Sequence, residues 1–181
     1  MKKMSVKTVV AIGIGAALFF VLGRLVSIPT PVPNTYVSLQ YAILAVFAGL
    51  FGPVAGLVIG LVGHALVDFT SYGPWWSWII ASTCFGLIVG LLTNKLDLES
   101  GVFGKKEILT FNISQVIAHA ISWLVVAPGL DVLIYAEPFS KVITQGVTAT
   151  ILNSIATGIV GTLLMAAYAK TRTKKGSLNK E

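Results

Sequence analysis

Charge is scarce in this 181-residue sequence: Asp, Glu, Lys and Arg together make up 11% of it, where a soluble domain carries about 25%. A charge-clothed, water-soluble globule is thereby excluded. Cysteine is nearly absent. The one present, Cys84, lies in an apolar run, so neither a disulfide framework nor a cysteine metal site is available. Several chemical signatures are missing as well. There is no Gly-x-x-x-x-Gly-Lys-Ser/Thr loop to cradle a nucleotide, no Gly-x-Ser-x-Gly nucleophile turn, no His-Glu-x-x-His helix and no carboxylate pair deep in an apolar segment. Binding of ATP by that route is excluded, and protease, hydrolase and proton-coupled chemistries lose their usual carriers. No catalytic residue, resident cofactor or metal is expected. Two similar halves, common in secondary transporters, are not visible either.

What is present is apolar: 55% of the residues are hydrophobic and the mean hydropathy is +0.86. Apolar segments cover 6–26, 37–51, 53–69, 75–92, 108–127 and 139–169, and a spanning helix needs roughly 20 such residues. The stretch 37–69 is too long for one span and short for two. Charge decides the matter. The net charge of +6 is concentrated at Lys2, Lys3 and Lys7, at Lys95, Lys105 and Lys106, and at Lys170, Arg172, Lys174, Lys175 and Lys180. Short basic clusters beside apolar runs mark cytoplasmic flanks rather than a nucleic-acid surface. For all three to share one side, an even number of spans must separate them. A reversal at Phe51-Gly52-Pro53 gives four and then two, and Gly with Pro suits a tight reversal. The expectation is one all-α domain, a six-helix membrane bundle with both termini in the cytoplasm. Its basic amino end is read as a retained first helix rather than a cleaved signal.

That topology sends 27–36, 70–74 and 128–138 to the outer face, with six of the seven prolines. In Ile28-Pro29-Thr30-Pro31-Val32-Pro33-Asn34 alternate prolines predict an extended, polyproline-like path. Such a segment serves as a rigid connector or as a lid over a pocket; the residues alone suit both.

Ionisable groups inside membrane spans are costly and point to function. His64 and Asp68 share a helix face near the outer end of the third span. Asn112, Gln115, His119 and Trp123 form a polar stripe on the fifth; Lys141, Gln145 and Thr148 form one on the sixth; Arg24 lies near the outer end of the first. Hydrogen bonding between helices explains any one of these, but their shared outward position favours a pocket. Trp75, Trp76 and Trp78, following Tyr72-Gly73-Pro74, fit an interfacial aromatic belt or a stacking surface for a flat ligand. Asn34, Tyr36, Gln40 and Tyr72 complete the candidate substrate-binding set. Small residues four apart, Ala11 with Gly15 and Gly13 with Ala17, offer a face for close helix approach. The pairs Gly56 with Gly60 and Gly86 with Gly90 suit packing inside the bundle.

Taken in order, Ser5-Val6-Lys7-Thr8-Val9-Val10-Ala11-Ile12-Gly13-Ile14-Gly15-Ala16-Ala17, Ile28-Pro29-Thr30-Pro31-Val32-Pro33-Asn34-Thr35, Gly63-His64-Ala65-Leu66-Val67-Asp68 and Tyr72-Gly73-Pro74-Trp75-Trp76-Ser77-Trp78 resemble the substrate-binding S components of energy-coupling factor (ECF) vitamin transporters. The resemblance is to the riboflavin-transporter-like family and covers nearly the whole chain. Within that family the sequence is most similar to the cobalamin-specific member. The resemblance implies a non-catalytic bundle in the bacterial cell membrane that binds a vitamin from outside. It also implies docking on a membrane-embedded coupling subunit, EcfT, that carries two cytoplasmic ATPases. The family's Ala-x-x-x-Ala docking motif maps to Ala11 with Gly15 or to Gly13 with Ala17, and neither pair is Ala with Ala. Cobalamin, large and amide-rich, suits Trp and Tyr surfaces with Asn, Gln and His donors; riboflavin, flat and neutral, is the alternative. His64 or His119 is expected to be hydrogen-bonded, with cobalt ligation the other reading. An intramembrane metal enzyme using His64, Asp68 and His119, or a small channel, are the competing classes.

Overall fold

The computed structural model describes residues 5–96 and 98–172; Lys2, Lys3, Lys174, Lys175 and Lys180 lie outside them. Six helical rods follow one another: α1 Val6–Leu25, α2 Gln40–Phe51, α3 Pro53–Phe69, α4 Trp76–Leu92, α5 Lys105–Tyr135 and α6 Phe139–Lys170. By length and composition α1, α5 and α6 are able to cross a membrane, and the other three are shorter apolar helices. The fold is an all-α membrane bundle.

Local chemistry sets the ends. Ser5 caps α1 by accepting from the Thr8 amide at 3.1 Å. Between α2 and α3 the chain reverses on Gly52, whose φ of 89° lies in the left-handed region, and Pro53 opens α3. There a missing amide hydrogen costs nothing. Behind this turn α3 and α4 pack backbone to backbone. A Cβ on Gly56 would lie 2.2 Å from the Gly86 carbonyl oxygen, and one on Gly60 would lie 2.4 Å from that of Ser82. The glycine pairs therefore serve internal packing.

Two connections depart from the sequence expectation. Residues 28–37 are extended only at their ends: Ile28 pairs antiparallel with Val37 and Pro29 with Tyr36. The chain between folds back through a Thr30 to Thr35 backbone bond of 3.0 Å, with Asn34 left-handed at φ 58°. A hairpin replaces the polyproline path, and α2 begins at Gln40 rather than at residue 37. Near the other end, 128–138 is not a loop, since α5 continues to Tyr135. Its turn at Ser122–Val126 is π-helical, with the Ala127 amide bonded to the Ser122 carbonyl. That wider turn makes room for the Pro128 ring, which clashes with the preceding turn of a regular α-helix.

The bundle has two chemically different ends. At one, Lys7 lies 5.9 Å from the Phe51 ring, and Gly101 approaches the Arg172 carbonyl. Lys95, Lys105, Lys106 and Lys170 stand at helix ends on the same side. At the other end are the hairpin, the α3–α4 connection and the α5–α6 connection, and here the bundle opens.

Candidate functional site

Because α2 starts late, a cleft remains beneath the hairpin. It has an inner chamber of about 270 Å³ and an outer one of about 370 Å³, which share Asn34, Tyr36, Tyr72 and Trp78 in their walls. Arg24, Gln40, His64, Tyr41, Trp123 and Asn153 line the inner chamber. Trp75, Asp131, Glu137, Lys141 and Gln145 line the outer one. Both volumes lie near the lower end of the range of ligand pockets, about 300–1,000 Å³. The walls mix ring faces with amides and hydroxyls, a lining suited to a flat ligand bearing donors and acceptors.

The hairpin is pinned over this space by α6. Gln145 Nε2 donates to the Pro33 carbonyl at 2.9 Å, and Asn153 Nδ2 donates to the Tyr36 carbonyl at 3.1 Å. Asn153 Oδ1 in turn accepts from the Ser38 amide at 2.7 Å. The inward row on α6 is thus Gln145, Ala149, Asn153 and Thr157, all buried. Lys141 and Thr148 lie off that row: Lys141 pairs with Glu137 at 2.7 Å, and Thr148 bonds back to the Thr144 carbonyl.

The inner chamber's wall is built on Tyr41. Its ring meets Phe19, Phe85, His119 and Trp123 edge to face at centroid distances of 5.3 to 5.7 Å, an arrangement favoured by ring quadrupoles. His64 Nδ1 is bonded to Ser82 Oγ, and its Nε2 lies 3.5 Å from Asp68 Oδ1.

Three candidates are placed elsewhere. His119, fully buried, accepts at Nδ1 from the Trp123 indole at 2.9 Å and meets Thr157 Oγ1 at 3.2 Å through Nε2. An indole only donates, so the ring hydrogen sits on Nε2. Both nitrogens are used, which leaves none for a ligand or for cobalt. Asp68, also fully buried, holds the α3–α4 connection by accepting from the Trp75 amide at 2.9 Å and the Tyr72 hydroxyl at 3.2 Å. Burial of that hydroxyl, and then the Asp68 carboxylate, raise the Tyr72 pKa above the ordinary phenol value. Trp76 points away from the cleft, 45% exposed, with its ring 6.4 Å from Phe69; of the two sequence readings, it fits the interfacial belt. Among the described residues, no group of three His, Cys, Asp or Glu side chains is placed to hold a metal ion.

The structure adds an acidic residue to the site. Asp131, 1% exposed, accepts from Trp75 Nε1 at 2.7 Å, from Trp78 Nε1 at 2.9 Å and from Ser77 Oγ. The apolar-run boundaries place it in the outer connection 128–138, whereas the structure places it on α5. The signal that singled out Asp68, an acid within an apolar run, applied equally to Leu130-Asp131-Val132.

The small-residue face of α1 also divides. Ala11 and Gly15 are buried, and a Cβ added to Gly15 would lie 2.6 Å from Ile59 and 2.9 Å from Phe47. That pair packs α1 against α3 and α2 and is not an outward docking face. Gly13 and Ala17 are exposed, and nothing lies within 4 Å of a Cβ at Gly13.

Comparison with known proteins agrees with this architecture. The chain matches the family described as "ECF-type riboflavin transporter, S component" over residues 3–170. It is 57% identical over 181 residues to a UPF0397 protein of Enterococcus faecalis (strain ATCC 700802 / V583), covering 99% of each chain. It is 56% identical to UPF0397 proteins of Staphylococcus aureus strains JH9 and N315 over 184 residues, covering all of both chains. The chain belongs to the ECF-type riboflavin transporter S-component family, whose members are membrane components of vitamin transporters.

Proposed function

We propose that this chain captures its vitamin in the two-chambered cleft and delivers it through an ATP-driven importer, in complex with a coupling subunit, EcfT, and two cytoplasmic ATPases. The observation that carries the reading is the placement of the cleft at the end of the bundle opposite six of the eight described basic side chains, Arg24 and Lys141 being the two in its walls. Lys7, Lys95, Lys105, Lys106, Lys170 and Arg172 mark a cytoplasmic face by the positive-inside rule. The cleft then opens outward, and both termini are cytoplasmic. The chain has no nucleotide-binding loop, so it binds without catalysing, and energy enters from the ATPases. Docking uses the outward small-residue pair Gly13 and Ala17, where a partner helix approaches closely without disturbing the bundle.

Cobalamin is the cargo this reading favours. A corrinoid is larger than either chamber alone and carries amides around a flat ring, so it would span both chambers and stay partly open to the outside. The shared wall of Asn34, Tyr36, Tyr72 and Trp78 supports such a bridging pose. Riboflavin is the second reading, because a single flat tricycle fits within one chamber. Arg24, Gln40, His64, Trp75, Trp123, Lys141 and Gln145 are the remaining contacts proposed for the ligand. Calorimetric titration of the purified protein with each vitamin distinguishes the two. Stoichiometric binding of cobalamin with riboflavin silent supports the first reading, and the reverse replaces it. Binding of neither removes both cargoes.

A further inference from the structure

The geometry points to Asp131 as the residue that sets the aromatic wall of the cleft: its carboxylate fixes the ring orientations of Trp75 and Trp78, so ligand affinity depends on it through those two indoles. This rests on the cleft being the vitamin site. Asp131 presents both oxygens to a single short segment. Oδ1 accepts from Trp75 Nε1 and Ser77 Oγ, and Oδ2 accepts from Trp78 Nε1. Hydrogen bonds to a carboxylate are stronger than those between neutral groups, and an indole has only one donor to commit. Each Trp ring is thereby turned with its N–H toward α5 and its face along the wall.

Packing completes the orientation. Trp75 stacks on Tyr135 at 4.2 Å with the planes 24° apart, and Tyr135 accepts from the Trp76 amide at 2.9 Å. Trp78 lies 5.0 Å from Trp123, which belongs to the inner chamber. Trp78 itself faces both chambers, so the carboxylate on α5 orients a ring that the two chambers share. Asp68 performs a different task from the other side. It holds the backbone of the same segment through the Trp75 amide and does not touch the indoles.

The test is a double-mutant cycle. In the otherwise unaltered protein, Asp131→Asn places an amide N–H where an indole N–H must point. Affinity for cobalamin, or for riboflavin if that is the vitamin bound, should fall about 10- to 100-fold, the equivalent of one or two lost buried hydrogen bonds. In a Trp75→Phe, Trp78→Phe background the same substitution should change affinity less than about twofold, because the groups it acts through are gone. An equal loss in both backgrounds, or no loss in the first, overturns the proposal. If Asp131→Asn does not fold, Ser77→Ala combined with Asp131→Ser gives a smaller pair that leaves the same two indoles without an acceptor. Indole 15N–1H shifts of ligand-free protein supply a readout independent of cargo. The Trp75 and Trp78 signals should move on Asp131→Asn, with Trp123 following through its ring contact with Trp78, and that of Trp76, outside the cleft, should stay. Movement of none, or of all four, contradicts the assignment. Failure of both vitamins to bind leaves this arm intact and counts against the cargo alone.

Discussion

Trp123 and Trp76 stand on opposite sides of a distinction that only the folded chain reveals. Trp123 is fully buried yet forms part of the inner chamber wall, whereas Trp76 lies outside the cleft against Phe69. Substituting Trp123 or Trp75 by Ala should weaken ligand binding by about 1–3 kcal/mol, as expected for aromatic anchors. Trp76→Ala should leave calorimetric affinity unchanged. His119 makes a different prediction. Removing its ring leaves the Trp123 indole and Thr157 without their partner and opens space beneath Tyr41 and Phe85. The His119→Ala protein should lose about 2–5 kcal/mol of stability in detergent. Direct contact between His119 and the vitamin is excluded if its thermal unfolding temperature falls well below that of the parent while ligand still binds. A variant of normal stability with no affinity would contradict the placement.

Between helices, glycines decide distances. A Cβ on Gly86 would sit 2.2 Å from the Gly56 carbonyl oxygen, so Gly86→Ala forces α3 and α4 apart and should destabilise the bundle by about 1–3 kcal/mol. Gly15→Leu meets Ile59 and Phe47 and should fail in the same way, by thermal unfolding. Gly13→Leu, placed on the open side of α1, should fold and bind its vitamin normally but lose co-purification with the coupling subunit. Normal co-purification of Gly13→Leu would move docking to another face. At this scale much was legible in the sequence. Apolar run lengths, basic clusters and the Gly52-Pro53 reversal carried the helix order, and the wide Trp and Tyr complement carried the character of the pocket. Two of the departures lie at prolines, whose local preference was outweighed by hydrogen bonding and packing that only the fold supplies. Pro128 is accommodated by the π turn at Ser122–Val126, so α5 runs on to Tyr135 and carries Asp131 into the wall of the site. The alternate prolines of 29–33 bend into a hairpin because Thr30 and Thr35 bond across it. Likewise the register of the α6 stripe, Gln145 with Asn153 rather than with Thr148, depends on which face meets the hairpin. Residue spacing alone does not contain that information.

As a whole the molecule is asymmetric along its long axis, with a ligand-sized cleft at one end and most of the described basic side chains at the other. The chain belongs to a family of transporter S components, and its sequence contains no P-loop; the proposed capturing role follows from these together with the cleft. The most direct test uses proteoliposomes that hold the chain alone or together with its coupling subunit and two ATPases, supplied with radiolabelled cobalamin or riboflavin. The chain alone should bind one vitamin and accumulate neither, and the assembled complex should accumulate that vitamin only when ATP is present on the ATPase side. Accumulation by the chain alone, driven by a proton or sodium gradient without ATP, would contradict the account.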